Sequence, residues 1–403
     1  MGTKRRLMNI GLSWLMGLLA ATTIAQTRAS TTPTNSSTRR SGLFRPLPLT
    51  KFYDTPHPLP PGKPGDLIRS TEFDEYDLPP EVNALRILYH SRTGAGEDVG
   101  VSGVILFPDA KPPAGGWPII AWAHSWTGVA RSCAPSLARN LQHGPFLAMY
   151  AHLGYAVVAT DYAGLGTATR SAFAEISANA SDIIYSVAAA RRALPQLGSS
   201  WVALGTGEGG MAVIGVAEME SSLHDPNYLG SVAISNLDDP QNLYASESVL
   251  SYKMPLFLAY GVETAFPQFN VSDMLTAKGM SLYHQISQSC NESDDEPETS
   301  ATTLVKAGWK ANSFIQKYFE RNRLGQQRAG APLLVIASED DPKIDATAKI
   351  VTRLCKAGDK VEFQKISESD FGRVIGDSAR DQMAWIQSRF ANAAPRDNCS
   401  AQH

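Results

Sequence analysis

Short runs of apolar residues alternate along most of the chain with longer segments that have the periodicity of helices. Glycine or proline flanks most of the runs, which is typical of strands buried in a sheet. Eight runs predict strands, at residues 84–90, 102–107, 118–124, 155–161, 201–205, 230–235, 332–338 and 361–366. Because strands separated by helix-length segments form mostly parallel sheets, the pattern predicts an α/β fold with helices on both faces of the sheet.

Two helices can be predicted in detail. Residues 183–194 end before Pro195 and lead into the strand at 201–205, as a crossover helix does. Residues 377–390 place apolar side chains at helical spacing.

The stretch between the strands at 230–235 and 332–338 is too long for a single connection between strands. We expect a mostly helical insertion at about 237–328. Insertions of this kind, placed over one end of a sheet, often act as lids.

The N-terminus has the pattern of a secretory signal peptide. Lys4, Arg5 and Arg6 precede an apolar stretch that ends near Ala21, and small residues follow up to Ala25. The apolar stretch is shorter than the roughly 20 residues of a membrane-spanning helix. We therefore expect residues 1–25 to be removed, the mature chain to be secreted, and no transmembrane segment to remain.

Residues 26–50 are rich in Ser and Thr, and this composition predicts a disordered lead-in to an α/β domain at 51–403. The formal charge of −3 becomes −6 when the three basic residues of the signal are removed. The mature chain has no basic block, so nucleic acid is not an expected partner. The oligomeric state does not follow from the composition.

Four cysteines in a chain bound for an oxidising compartment predict two disulfides. They are Cys133, Cys290, Cys355 and Cys399. No pair has the close spacing of a zinc site, so we expect no metal centre. Four cysteines allow three connectivities, and their spacing does not choose among them.

The segment most informative about chemistry is WVALGTGEGG, residues 201–210, in which a buried strand runs through a glycine-rich turn into a helix. In α/β-hydrolases this turn is the nucleophile elbow G-x-S-x-G, which exposes a serine above the sheet. Here the central position is Gly207. It has no side chain, and the elbow therefore lacks a nucleophile.

Several ordered motifs make the chain similar to the secretory lipase family, the lipase A type of α/β-hydrolase. They are AWAHSWTG at 121–128 with CAPS at 133–136, GYAVVATDYAGLGT at 154–167, the elbow, SEDDPKI at 338–344, RLCKAGDKVEF at 353–363 and AWIQSRF at 384–390. The resemblance implies an oxyanion segment around Ser125 and Trp126 and a catalytic acid at Asp341. It also implies disulfides between Cys133 and Cys290 and between Cys355 and Cys399.

The chain departs from this family at positions that carry the chemistry. Where this chain has Gly207, Glu208 and Ser125, the family has serine, glutamine and glycine, respectively. The local alignment places the family's catalytic histidine at the position of Phe371. The triad order of the fold is nucleophile, acid, histidine. The only histidine after Asp341 is the terminal His403, which is poorly suited to act as a positioned base.

Glu208 follows the nucleophile position, so its side chain is expected to point away from the reacting centre. We expect it to stabilise the N-terminus of the helix through the helix dipole, because a single carboxylate makes a poor catalytic site.

These departures indicate a secreted protein that retains a lipase scaffold without hydrolysis. Its expected function is to bind an acyl or ester ligand, or to regulate a partner, and no cofactor is expected. One alternative is an active esterase with a relocated serine nucleophile, for which Ser125 beside His124 is one candidate. A second is a dinucleotide-binding protein, because GTGEGG also matches G-x-G-x-x-G, although Asp238 and Asp239 lie too far along the chain for the expected ribose contact.

Overall fold

The computed structural model describes residues 46–235, 237–243, 253–288, 290, 300–367, 369 and 373–402. The predicted signal peptide and most of the lead-in lie outside these residues. The last residues of the lead-in contradict the prediction of disorder. Leu47 is buried, its N–H donates to the carbonyl of Leu137 at 2.7 Å, and Pro46 forms a β-bridge with Ala138.

A nine-stranded sheet forms the centre of the fold, in the order β1-β2-β3-β5-β4-β6-β7-β8-β9. The strands are β1 (Leu67–Glu72), β2 (Val82–Arg92), β3 (Asp98–Pro108), β4 (Trp117–Ala123), β5 (Ala156–Thr160), β6 (Leu197–Thr206), β7 (Tyr228–Ile234), β8 (Leu333–Ser338) and β9 (Val361–Ile366). The pairs from β5 to β9 are parallel, whereas β1, β2 and β3 join through antiparallel pairs. The predicted mostly parallel sheet is therefore confirmed.

Eleven α-helices occur in the described part of the chain. They are α1 (Gly144–His152), α2 (Ile176–Ala193), α3 (Glu208–Leu223), α4 (Pro240–Leu243), α5 (Met254–Ala265), α6 (Ala277–Ile286), α7 (Ala301–Leu304), α8 (Ser313–Arg321), α9 (Ile344–Lys356), α10 (Val374–Asp377) and α11 (Ala379–Phe390). We call α4–α8, which lie between β7 and β8, the intervening helices. The helix predicted at 377–390 is α11, which begins two residues later, and the short helix α10 precedes it.

Alternate side chains of the parallel strands face two separate cores. On β4, Ile119 packs in the core beneath α2, α3 and α9, whereas Ile120 packs in the core beneath α1, α10 and α11. This alternation is the two-residue period of a strand. It explains why the strand sequences are apolar on both faces, since both faces of the sheet are covered.

The intervening helices have a core of their own. Leu256 and Leu258 of α5 and Tyr318 of α8 are buried in it, together with Phe173 from the connection between β5 and α2. In the described residues of this stretch, the regular elements are helices, as predicted.

Two disulfides cross-link the fold. Cys133, after β4, pairs with Cys290, which follows α6, and Cys355 in α9 pairs with Cys399 near the C-terminus. This is the pairing that the family resemblance implies. In the part of the chain that the structure describes, no helix has the length and apolarity needed to cross a membrane.

Candidate functional site at the carboxyl end of the sheet

Gly207 lies at the turn between β6 and α3, where the backbone reverses sharply. Its φ of 57° and ψ of −119° fall in a backbone region that residues with a side chain rarely adopt. The Gly207 N–H donates to the carbonyl of Ile234 at the end of β7 (3.0 Å), and its carbonyl accepts from Met211 in the first turn of α3 (3.1 Å). Strand, sharp turn and helix thus follow one another as in a nucleophile elbow, and the residue at the centre of the turn has no side chain.

Close packing accounts for the other glycines of the turn. A Cβ atom on Gly205 would collide with the carbonyl of Gly209, and a Cβ on Gly209 would collide with the carbonyl of Ala123 in β4. A Cβ on Gly210 would lie 2.9 Å from the side chain of Leu237. Helix α3 thus approaches the strands closely enough to require glycine, and the G-x-G-x-x-G pattern needs no nucleotide to explain it.

Glu208 is placed more deeply than the sequence predicts. Its side chain does point away from the turn, but its Oε1 accepts from the Ala174 N–H at 2.7 Å and from the Asn179 Nδ2 at 3.0 Å. Burial raises the pKa of the carboxyl to about 7, and the two hydrogen bonds offset part of that shift. Glu208 therefore fastens the connection between β5 and α2 to the turn, which the helix-dipole interpretation did not include.

His124 closes the end of β4 and is fully enclosed. Its Nδ1 lies 2.7 Å from the carbonyl of Ser125 and its Nε2 lies 3.1 Å from the carbonyl of Asp161, and the ring stacks against Tyr162. A neutral imidazole carries one ring proton, so it donates to only one of these carbonyls at a time. Burial lowers the pKa of His124 to about 4. These features suit a packed core histidine and not a general base.

Trp126 lies where the segment after β4 meets the intervening helices. Its ring contacts Phe257 of α5 edge-on, with centroids 4.7 Å apart, and Phe173 at 6.4 Å. The indole Nε1 of Trp126 and the Oγ1 of Thr127 are buried and have no hydrogen-bond partner among the described residues. Ser125 is partly buried beside them. The predicted oxyanion segment is thus covered by aromatic side chains and retains unused donors.

Asp341 follows β8 at the same edge of the sheet. It is 5% exposed, and its Oδ1 accepts from the N–H of Lys343 at 2.8 Å. The strand order β6-β7-β8 separates it from Gly207 by one strand. The role of Asp341 as a catalytic acid stays a prediction.

A buried lysine accompanies this acid and was not singled out in the sequence. The ammonium of Lys343 lies in the fields of Asp238 and Asp341, which raise its pKa, but burial outweighs them and the net pKa is lowered. Its Nζ has no hydrogen-bond partner within the described ranges. The only sequence signal was a basic residue two positions after the predicted acid.

Phe371, at the predicted histidine position, lies outside the described residues, in the connection between β9 and α10. The described residues around it include Ser369, whose hydroxyl donates to Asp377 at 2.7 Å. Throughout the described ranges, no group of three or more His, Cys, Asp or Glu side chains could hold a metal ion.

Comparisons with known proteins give a match through structure alone. No family model matches the chain, and no curated protein sequence matches it. Lipase A of Candida antarctica in its closed state superposes with a TM-score of 0.75 at 16% identity, over 87% of this chain and 89% of that one.

Two further superpositions include nearly the whole chain of the other protein. A ligand-bound form of the rice cell wall degrading esterase LipA of Xanthomonas oryzae superposes with a TM-score of 0.65 at 17% identity, over 82% of this chain and 98% of that one. A putative hydrolase of Legionella pneumophila gives a TM-score of 0.68 at 17% identity, over 81% and 99%. The chain therefore has the α/β-hydrolase fold of lipases and esterases.

Proposed function

We propose that the protein is a secreted, non-hydrolytic relative of lipases that binds an acyl or ester compound beneath a lid formed by the intervening helices. The observation that carries this proposal is Gly207. It occupies the nucleophile elbow with the backbone conformation of that turn and offers no atom that could attack a carbonyl.

The surroundings of Gly207 support the loss of hydrolysis. His124 is held in the core with a lowered pKa, and the sequence after Asp341 contains no histidine before the terminal His403. An acid without an imidazole cannot complete a proton relay.

The same surroundings support a binding role. Trp126, Phe173 and Phe257 form an aromatic cluster where the scaffold meets the intervening helices. Apolar side chains with a few unused polar groups among them are typical of sites for small ligands.

One observation favours an active esterase as a second candidate. Ser235 follows β7 directly beside the elbow, is fully buried, has a φ of 57° and carries an Oγ without a partner in the described part of the chain. Backbone strain of this kind often occurs at functional residues. A relocated nucleophile at Ser235 would still need a base.

The test is a fluorophosphonate labelling experiment on the purified protein, with site mapping and a short-chain ester assay beside it. We expect no covalent adduct and no turnover above that of Ser235→Ala. Stoichiometric labelling of Ser235, lost in that variant, would replace the binding proposal with the esterase. Titration of a fluorescent acyl ester supplies the positive arm, since saturable binding without product supports the proposed function and the absence of binding contradicts it.

A further inference from the structure

Five Asn-X-Ser sequences occur in the chain, and the structure describes three of them in full. They begin at Asn35, Asn179, Asn270, Asn291 and Asn398, and those at Asn179, Asn270 and Asn398 are described. The sequence Asn-X-Ser or Asn-X-Thr is the acceptor of N-linked glycans in secreted proteins. An acceptor also needs an amide nitrogen that solvent and an enzyme can reach, and by this criterion the three sites differ.

Asn179 is closed to modification by its position in α2. It is 1% exposed, and its Nδ2 donates to Oε1 of Glu208 at 3.0 Å beside the elbow. A sugar on this nitrogen would remove that hydrogen bond and would have no space in the core.

Asn398 is engaged through both ends of its amide. Its Oδ1 accepts from the N–H of Phe363 at 2.9 Å, and its Nδ2 donates to the carbonyl of the same residue at 2.8 Å. These bonds fix the C-terminal tail against β9, next to the disulfide at Cys399. The nitrogen is therefore occupied in the folded chain.

Asn270 presents the opposite arrangement, in the turn between α5 and α6. Its side chain is exposed, and its Oδ1 accepts from both the N–H and the hydroxyl of Ser272, at 3.0 and 2.8 Å. These contacts use only the oxygen of the amide. Among the described residues, nothing accepts a hydrogen bond from its Nδ2, so the nitrogen faces solvent.

We propose that Asn270 is an N-glycosylation site of this protein and that Asn179 and Asn398 are not. In the modification, Nδ2 of Asn270 forms a bond to the anomeric carbon of an oligosaccharide carried on a lipid diphosphate. The lipid diphosphate leaves and one amide proton is lost. The reaction takes place in a secretory compartment, and two disulfides in the chain fit passage through such a compartment.

The glycan would lie on the outer side of the intervening helices. The adjoining Val271 is buried in their core, and the Lys306 ammonium donates to the carbonyl of Ser272 at 2.6 Å, so the acceptor turn is fixed in position. The inference does not depend on whether the protein hydrolyses or only binds a ligand.

Three matched serine variants test the assignment. Ser272→Ala, Ser181→Ala and Ser400→Ala each remove one acceptor sequence by deleting one hydroxyl group. The full chain is secreted from a yeast host behind the host's own leader, and both cellular and secreted fractions are treated with a glycosidase that releases N-glycans in ¹⁸O-labelled water. Peptide mapping then identifies each former glycan site as labelled aspartate.

We expect labelled aspartate at position 270 in the parent, its loss in Ser272→Ala and its return in Ser272→Thr. Ser181→Ala and Ser400→Ala should leave the glycan pattern unchanged. An unmodified Asn270 in the parent, or a glycan on Asn179 or Asn398 in secreted protein, would overturn the proposal.

Discussion

The carboxyl group of Glu208 and the backbone N–H of Ala174 form a hydrogen bond of 2.7 Å that joins the elbow to the connection between β5 and α2. This connection also contacts the intervening helices. Phe173 packs in their core, and the hydroxyl of Tyr318 donates to its carbonyl. Through these contacts, Glu208 connects the elbow with the intervening helices.

Replacing Glu208 with Gln should stabilise the protein above neutral pH. The pKa of this carboxyl is raised from 4.5 to about 7, so the folded state binds more protons than the unfolded state between those values. Its contribution to the free energy of unfolding therefore falls as pH rises through that window, by at most about 3 kcal/mol. Gln keeps the oxygen that accepts both hydrogen bonds and does not ionise.

Melting temperatures at pH 5 and pH 8 measure this effect. The gain from Glu208→Gln should be present at pH 8 and small at pH 5, whereas Glu81→Gln, at an exposed position, should show no such difference. An equal gain at both pH values would mean that burial of the charge is not the cause.

Gly207 should resist substitution because of its backbone, independently of any chemistry. A residue with a side chain at its φ of 57° and ψ of −119° costs about 1–3 kcal/mol. Gly207→Ala should lower the free energy of unfolding in urea by that amount. Gly376→Ala in α10, where an added Cβ meets nothing within 4 Å, should change it by less than about 1 kcal/mol. Equal effects of the two changes would contradict the assignment of strain.

The proposed function implies that hydrolysis should appear only when a serine at position 207 and a histidine at position 371 are introduced together. Gly207→Ser supplies a hydroxyl without a base and Phe371→His a base without a nucleophile, so each single variant should stay near background. The double variant should exceed either by at least about 10²-fold on a short-chain ester, because triad residues act as a unit. Adding Glu208→Gln and Ser125→Gly should raise the rate further, since the first removes a buried negative charge one residue from the nucleophile position and the second places the family's glycine in the oxyanion segment.

Fluorophosphonate labelling of the quadruple variant, after a native-like melting transition is confirmed, provides the decisive measurement. The same four changes with Asp341→Asn added provide the control. If the folded quadruple variant neither labels nor turns over, the placement of the acid or of the histidine position is wrong.

The ion pair between Glu175 and Arg321 should hold the end of α8 on the scaffold. The side chain of Glu175 is 4% exposed, and the next residue, Ile176, donates its N–H to Oδ1 of Asn322 at 2.8 Å. Arg321→Met leaves a buried carboxylate without its partner, a change that costs up to about 3–5 kcal/mol for fully buried pairs. Hydrogen exchange in α8 should accelerate accordingly.

The pH dependence of that exchange distinguishes the charge from simple packing. Burial raises the pKa of Glu175 and Arg321 lowers it, so loss of Arg321 raises it further. The loss of stability caused by Arg321→Met should therefore become smaller as pH falls and Glu175 becomes neutral. Arg396→Met, which removes an exposed partner of Glu362, should leave exchange in α8 unchanged. If Arg321→Met accelerates exchange in α8 equally from pH 5 to pH 8, lost packing and not the charge is the cause.

The elements that the sequence predicted well are those whose own residues are buried on a regular period. The run at 361–366 coincides with β9, and the other seven predicted strands fall within a few residues of those observed. Strand β1 (Leu67–Glu72) was missed because its residues are half-buried or exposed, and pairing with β2 makes it a strand. Edge pairing of this kind leaves little trace in hydrophobic periodicity.

The start of α2 and the role of Glu208 were missed for one physical reason. Helix α2 begins seven residues before the predicted position, in two turns rich in Ser, Asn and Asp, which favour caps and turns in isolation. Asn179 and Asp182 in these turns are buried and bonded to Glu208, Ser91 and Ala163. Partners this distant in sequence cannot be inferred from local composition. The glycine-rich turn could be predicted, because its glycines lie next to one another in the sequence.

The disulfide between Cys133 and Cys290 determines how the intervening helices could admit a ligand. Cys290, which follows α6, is covalently joined to Cys133 in the segment that follows β4, beside Gly128, so these helices cannot separate from the scaffold as a free body. For the proposed ligand to enter, the intervening helices would have to rotate about this disulfide. The displacement would be greatest at the end farthest from Cys290. The fixed end would then determine the direction from which a long ligand enters.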